Sequence, residues 1–157
     1  MLDGIYTRMG ASDSIQQGRS TFLEELNEAS YILRNCTAQS LVIVDELGRG
    51  TSTHDGVAIA YATLDYLLEH KKCVVLFVTH YPKIADIKTK FTGSVGTYHV
   101  SYLTSHKVMG PMDSKSDQDV TYLYKVVPGV SESSFGFKVA QLAQVILRLS
   151  PAFCWSK

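Results

Sequence analysis

The sequence predicts an α/β fold: a mostly parallel sheet with flanking helices and an antiparallel edge hairpin. Three observations carry this. Leu41–Val44 and Cys73–Val78 are short, continuous apolar runs of the kind that form strands buried on both faces of a parallel sheet. Between them, Val57, Ala60, Tyr61, Leu64 and Leu68 recur at helical spacing. Strand, helix, strand in that order is a βαβ unit, whose crossover is right-handed. Two later runs, 97–103 and 120–127, alternate or are rich in aromatic and β-branched residues, which suits a hairpin.

Taken in order, residues 1–20 are mixed and carry Gly4, Gly10 and Gly18, which reads as mostly loop. A helix is expected from Thr21. Thr21 with Glu24 fits a capping box, in which two side chains satisfy orphan amides of the first turn. Phe22, Leu26, Ala29 and Leu33 supply its apolar face. Residues 35–40 form a polar break before the first buried strand. In the hairpin, Tyr98, Val100 and Tyr102 fall on one face, and the polar segment around Gly110-Pro111 connects the two strands. Pro128-Gly129 makes a turn, and Phe137–Leu149, with Val139, Leu142, Ala143 and Ile146, reads as a last helix.

A chain of 157 residues makes one domain rather than two. Fifteen basic residues balance fifteen acidic ones, which is not the electrostatic footprint of a stand-alone DNA-binding domain. It leaves room for a domain that works beside a separate DNA-binding part. Cys36, Cys73 and Cys154 are odd in number and show no CxxC spacing, so reduced thiols are expected rather than a disulfide or zinc framework. There is no signal-like start, and no apolar run approaches a membrane span. A soluble cytosolic or nuclear protein is expected.

The chemistry concentrates at "LVIVDELGRGTSTHDG" (41–56), where the apolar strand ends in Asp45-Glu46. Side chains alternate along a strand, so adjacent carboxylates cannot both face one substrate from within a regular one. Both sit at the carboxyl edge of the sheet, where open α/β sheets bind ligands. Four apolar residues followed by Asp-Glu is the Walker B pattern. Asp45 would hold Mg²⁺, a hard ion that keeps part of its water shell. Glu46 would orient or deprotonate the water attacking a γ-phosphate. Taken alone, the pair fits a strand end with two solvated acids equally well.

Three further features bear on this choice. The loop "GRGTST" (48–53) offers glycines for close backbone approach, and its hydroxyls and amides suit phosphate or a partner backbone. His80 ends the next parallel strand, beside Asp45-Glu46, where it can contact a γ-phosphate or act structurally. Ser20 and Thr21 begin a helix, whose N-terminus is both an ordinary cap and an anion site.

Together these features resemble the ATPase domain of the MutS family of DNA mismatch-repair proteins. The matching stretches are "TRMGASDSI" (7–15), "GRSTFLEEL" (18–26), "LVIVDELGRGTSTHDGVAIAYA" (41–62), "LFVTHYP" (76–82) and "SFGFKVAQLA" (134–143). In detail they are most similar to the eukaryotic homologue-three branch. The resemblance implies a P-loop NTPase core of the ABC class that uses ATP and Mg²⁺. It implies a nuclear protein that clamps mismatched or looped-out DNA, pairs with a second MutS homologue as a heterodimer and signals to MutL-type proteins. It assigns Asp45 to Mg²⁺, Glu46 to catalysis and His80 to a switch role. Ser20 and Thr21 fall to the nucleotide, with Ser20 reaching the γ-phosphate held by the partner. The loop carrying Gly48, Gly50, Thr51 and Ser52 falls to the dimer interface.

The family's phosphate-cradling loop, GxxxxGK[ST], needs a Gly-Lys pair, and none occurs in these residues. The expectation is an incomplete domain: residues 1–144 as the C-terminal part of a MutS-type ATPase domain, and 145–157 as a divergent tail. Such a chain carries half of a catalytic site and does not hydrolyse ATP alone. Three other readings remain: another ABC-class ATPase, a non-hydrolysing module that only pairs with a partner homologue, and a folding-incompetent fragment with no function.

Overall fold

The computed structural model describes residues 1–10, 21–106 and 118–131, in two compact units, Met1–Gly96 and Thr97–Lys157. Among the described residues of the first unit, β1 (Gly4–Arg8), β2 (Ser40–Asp45) and β3 (Val74–Val78) form a parallel sheet in the order β1-β2-β3. Gly4 pairs with Ser40 and Arg8 with Val44; Leu41 pairs with Val74 and Asp45 with Val78.

The first strand corrects the expectation of a loop before Thr21. Ile5, Tyr6 and Thr7 are β-formers, and Gly4 starts the strand instead of breaking it. Tyr6 also donates from its hydroxyl to the Asn35 carbonyl at 3.0 Å, tying the strand to the end of the first helix. Below it, Asp3 accepts from the Thr37 and Ser40 hydroxyls, which hold its carboxyl below the ordinary carboxylate range, Thr37 most strongly.

Helix α1 (Thr21–Asn35) starts at the expected residue, but Thr21 is its first helical residue and not its cap, so the expected capping box of Thr21 with Glu24 is displaced by one and the N-cap position, residue 20, lies outside the described residues. Its buried line is Glu25, Ala29 and Ile32, continued by Cys36, with Phe22, Leu26 and Leu33 only half-buried. The face is turned slightly from the predicted one, because its centre includes a carboxylate that apolar counting passes over. Helix α2 (Thr53–Tyr66) is capped by Ser52, whose hydroxyl accepts from the Asp55 amide. It buries Gly56, Ala60 and Leu64, then widens into a π turn (Leu67–Lys71) that closes on Lys72 at φ 55°.

Both helices pack on one face of the sheet. Ala29, Ile32 and Cys36 meet Val42, Val44, Leu47, Leu67 and Cys73, with Val75 and Phe77 packed alongside. Ala60 and Leu64 meet Tyr81, Ile84 and Ile87 from the 3-10 turn (Pro82–Asp86) and the short helix α3 (Ile87–Lys90) that follow β3. Cys36 and Cys73 are buried free thiols, as expected; Cys154 lies outside the described residues. Burial, and then the neighbouring Cys36, push the Cys73 thiol up from its ordinary value.

The expectation that both strands are buried on two faces needs correction. Val74, Leu76 and Val78 are 57%, 55% and 53% exposed, and Ile5 is exposed as well, while Leu41 and Ile43 are half-buried. The runs are continuous because a sheet face that no helix among the described residues of this unit covers is itself apolar. Such a patch promotes association. Leu76→Lys is therefore expected to reduce concentration-dependent light scattering while changing stability by no more than about 0.5 kcal/mol, as for an exposed substitution. A loss of several times that in a urea melt would mean the face is covered.

In the second unit, β4 (Tyr98–His106) and β5 (Gln118–Pro128) pair antiparallel, from Tyr98↔Pro128 to His106↔Gln118. The hairpin is as predicted, but it forms its own two-stranded sheet instead of an edge of the parallel one. The register shifts between Val100 and Tyr102, where Tyr124 takes φ 53°, the mark of a bulge. The connecting segment around Gly110, the expected helix Phe137–Leu149 and the tail 145–157 lie outside the described residues.

Candidate functional site

The site is built on the end of the central strand. Asp45 closes β2, and the Glu46 amide still donates to the Val78 carbonyl at 3.0 Å, so the sheet extends one residue past the assigned strand. Glu46 then enters the left-handed region at φ 50°, unusual for a residue with a side chain. This break in alternation lets both carboxylates line one cavity of about 260 Å³. Backbone strain of this kind costs on the order of 1–3 kcal/mol and tends to occur at functional sites. The cavity is lined also by Arg8, Thr21, Glu24, Glu25, Glu28, Arg49 and Gly50.

His80 lies two residues beyond β3, and its Nδ1 is 3.9 Å from Glu46 Oε1. The other Glu46 oxygen receives Arg49 Nη1 at 2.7 Å. The Arg49–Glu46 pair is exposed, so it is worth no more than about 1 kcal/mol. It can open when the carboxylate is needed elsewhere.

The Gly-rich loop is pinned rather than loose. Gly48 takes φ 94°, donates from its amide to Glu25 Oε1, and accepts the Tyr81 hydroxyl on its carbonyl at 3.0 Å. Its backbone lies against Gly56 so closely that a Cβ on either residue would come within 2.5 Å of the other's carbonyl oxygen. Both glycines are therefore required by this contact. Gly48 is buried with both polar groups used inside the chain, so it shapes the loop and presents no amide outward. Ser52 likewise spends its hydroxyl on Asp55, as the cap of α2. Gly50 is exposed, and Thr51 is half-buried.

Beneath the cavity lies a cluster that sequence reasoning missed. Arg8 and Glu25 are each only 6% exposed. Arg8 Nη2 is 3.7 Å from Glu25 Oε2, its Nε is 3.1 Å from Glu28 Oε2 but off the hydrogen-bonding direction, and its Nη1 donates to the Gly10 carbonyl. The available signal was the spacing of Glu25 with Ala29 and Ile32, which puts it on the buried stripe of α1.

Of the residues singled out from sequence, the fold brings Thr21, Asp45, Glu46 and Gly50 to one cavity, with His80 beside Glu46. Ser20 lies outside the described residues. A carboxylate at the strand end suits a hard divalent ion as one ligand. No group of three or more His, Cys, Asp or Glu among the described residues could hold a metal alone, so water or phosphate oxygens would have to complete the shell. Among the described residues the lining has five carboxylates against two guanidinium groups, so that part of it fits a cation better than a bare polyphosphate. No helix among the described residues is long and apolar enough to cross a membrane.

The family described as MutS domain V matches residues 1–149. The chain is 71% identical over 145 residues to the DNA mismatch repair protein MSH3 of Arabidopsis thaliana, covering 92% of this chain and 13% of that protein. It is 49% identical over 148 residues to human Msh3, with 92% and 13% covered. With Msh3 of Dictyostelium discoideum it shares 51% over 143 residues, covering 91% and 10%. The chain thus spans about an eighth of the length of the first two relatives. A match along nearly the whole chain means that this chain belongs to the MutS family as an MSH3-like part of its domain V.

Proposed function

We propose that the chain is the C-terminal part of the ATPase domain of a nuclear DNA mismatch-repair protein, with a P-loop core of the ABC class. The observation that carries this is the single cavity lined by Asp45 and Glu46, with His80 3.9 Å from Glu46, in a chain of this family. Asp45 would hold Mg²⁺ through water. Glu46 would orient the attacking water and take up its proton, after releasing Arg49. His80 would contact the γ-phosphate. Bound Mg²⁺ supplies the charge stabilisation on which phosphoryl transfer depends. Ser20 and Thr21, at the start of α1, would meet the nucleotide of a second MutS homologue, with Gly50 and Thr51 along the interface. Mismatched or looped-out DNA and MutL-type proteins would be engaged by the longer protein. ATP then biases the geometry of the pair because its contacts are complete only when the partner helix is docked.

The acidic lining makes a specific demand. ATP without its cation would be repelled, so binding must depend on Mg²⁺. Titration calorimetry of the 157-residue chain is expected to show weak MgATP binding that falls at least about tenfold, roughly 1.4 kcal/mol, with EDTA or in Asp45→Ala. Binding that is indifferent to both changes would overturn the assignment. Phosphate release should be absent from the chain alone; turnover abolished by Glu46→Ala would show instead that the site is complete.

A second reading keeps the fold and the family and drops the hydrolysis. Here the chain pairs with a MutS homologue and does not hydrolyse ATP. Co-purification with that homologue, without nucleotide binding, would favour it.

A further inference from the structure

Tyr81 follows His80 in sequence and is buried. Its hydroxyl donates to the Gly48 carbonyl at 3.0 Å, in a buried bond that joins residues 33 apart in sequence. Its ring lies against the His80 imidazole, with centroids 4.0 Å apart and planes inclined by 46°. The hydroxyl also abuts α2, since a Cβ on Gly56 would lie 2.5 Å from it. One side chain thus touches three pieces of the candidate site: the loop after the carboxylates, the first turn of α2 and the histidine. The Gly48 amide is held from the other side by Glu25. The Gly48 unit is therefore clamped between two elements, and Glu46 stands only two residues before it.

We infer that Tyr81 is a positioning residue: its hydroxyl sets the Gly48 loop, and hence Glu46, while its ring sets His80, so the carboxylate and the imidazole move as one unit. The meaning of that unit for ATP rests on the function proposed above; the mechanical link does not. A histidine displaced from Glu46 pulls on Tyr81, which pulls on the Gly48 carbonyl. A hydroxyl buried among packed residues has no water to replace its partner, so the link is not easily exchanged for a solvent contact.

Two substitutions separate the two halves of the link. Tyr81→Phe keeps the ring and removes the hydroxyl; Tyr81→Leu removes both. The measurement is amide hydrogen exchange and the His80 imidazole proton signals by NMR on the whole 157-residue chain, without nucleotide. In Tyr81→Phe, exchange across residues 46–51 is expected to accelerate about tenfold, as for a locally opened segment, while the Val42 and Val44 amides keep their protection and the His80 signals stay in place. In Tyr81→Leu the loop loosens and the His80 signals shift as well.

The inference is overturned if Tyr81→Phe leaves the loop amides unchanged, or accelerates Val42 and Val44 by the same factor. It is equally overturned if the His80 signals are the same in Tyr81→Leu as in the wild type. If the leucine variant does not fold, the phenylalanine variant decides the hydroxyl half, and the ring half is decided by nuclear Overhauser contacts between the Tyr81 ring and the His80 imidazole in the wild type, whose absence would overturn it. Failure to bind MgATP would count against the proposed function and would not alter these readouts.

Discussion

Replacing Gly56 by alanine is expected to destabilise the chain by about 1–5 kcal/mol, although alanine is the better helix former. Intrinsic propensity favours alanine over glycine in a helix interior by about 1 kcal/mol. Against that gain stands geometry. The added Cβ would lie 2.3 Å from the Gly48 carbonyl oxygen and 2.5 Å from the Tyr81 hydroxyl. The first of these is backbone, in a residue held at φ 94° by its own contacts. It cannot turn aside as a flexible side chain would. Overpacking costs about 1–3 kcal/mol, and separating the Tyr81 hydroxyl from the Gly48 carbonyl leaves buried polar groups unpaired at about 1–3 kcal/mol more. The steric effect therefore wins. A urea titration should show a lower midpoint with an unchanged slope. A midpoint equal to or above the wild-type value would mean that the loop and α2 are not in contact.

That contact shows where sequence reasoning stops. Helices α1 and α2 and strands β2 and β3 are legible because each is a local pattern: apolar residues at helical spacing, or a short β-branched run. β1 is not. It holds only five residues, begins at Gly4 and ends in the buried Arg8, and its pairing partner begins at Ser40. Nothing within its own window announces that partner. The open face of the sheet is hidden for a related reason. Continuous apolarity in Val74–Val78 says that both faces are apolar, but not that a helix of this unit covers both.

At the site, residue types are legible and their aim is not. Asp45-Glu46 at the end of an apolar strand reads as a candidate for holding a metal and a water, or as two solvated acids. Strict alternation, however, would send the two side chains to opposite faces. They line one cavity because Glu46 leaves the strand at φ 50°, and no residue type encodes that turn. Gly48 reads as a loop glycine, and nothing in the sequence ties it to Gly56; only the fold shows that they are one contact. Tyr81 is not marked out by its sequence context, yet its hydroxyl reaches the Gly48 carbonyl of the loop.

Glu25→Ala is expected to cost about 3 kcal/mol, far more than any other carboxylate on α1. A glutamate in a helix normally lies in solvent, and its loss is then nearly neutral. Glu25 instead is buried and serves two other buried groups: the Gly48 amide and the Arg8 guanidinium. The first is a hydrogen bond to a charged acceptor, worth about 1.5–3 kcal/mol. The second, at 3.7 Å, is a looser pair, but removing one member of a buried pair strands the other at a cost of about 3–5 kcal/mol. Arg8 keeps Glu28 and the Gly10 carbonyl, which places the total toward the lower end of that range. Glu28→Ala is the internal control. Its carboxylate is half exposed, and its loss should cost no more than about 1 kcal/mol. In a double-mutant cycle, Glu25→Ala and Arg8→Ala should be strongly non-additive, because either change alone leaves the other group unpaired. Equal, small effects of Glu25→Ala and Glu28→Ala would mean that water reaches the cluster. The Gly48 loop would then be held by Tyr81 alone, and Tyr81→Phe would become the more damaging change at the site.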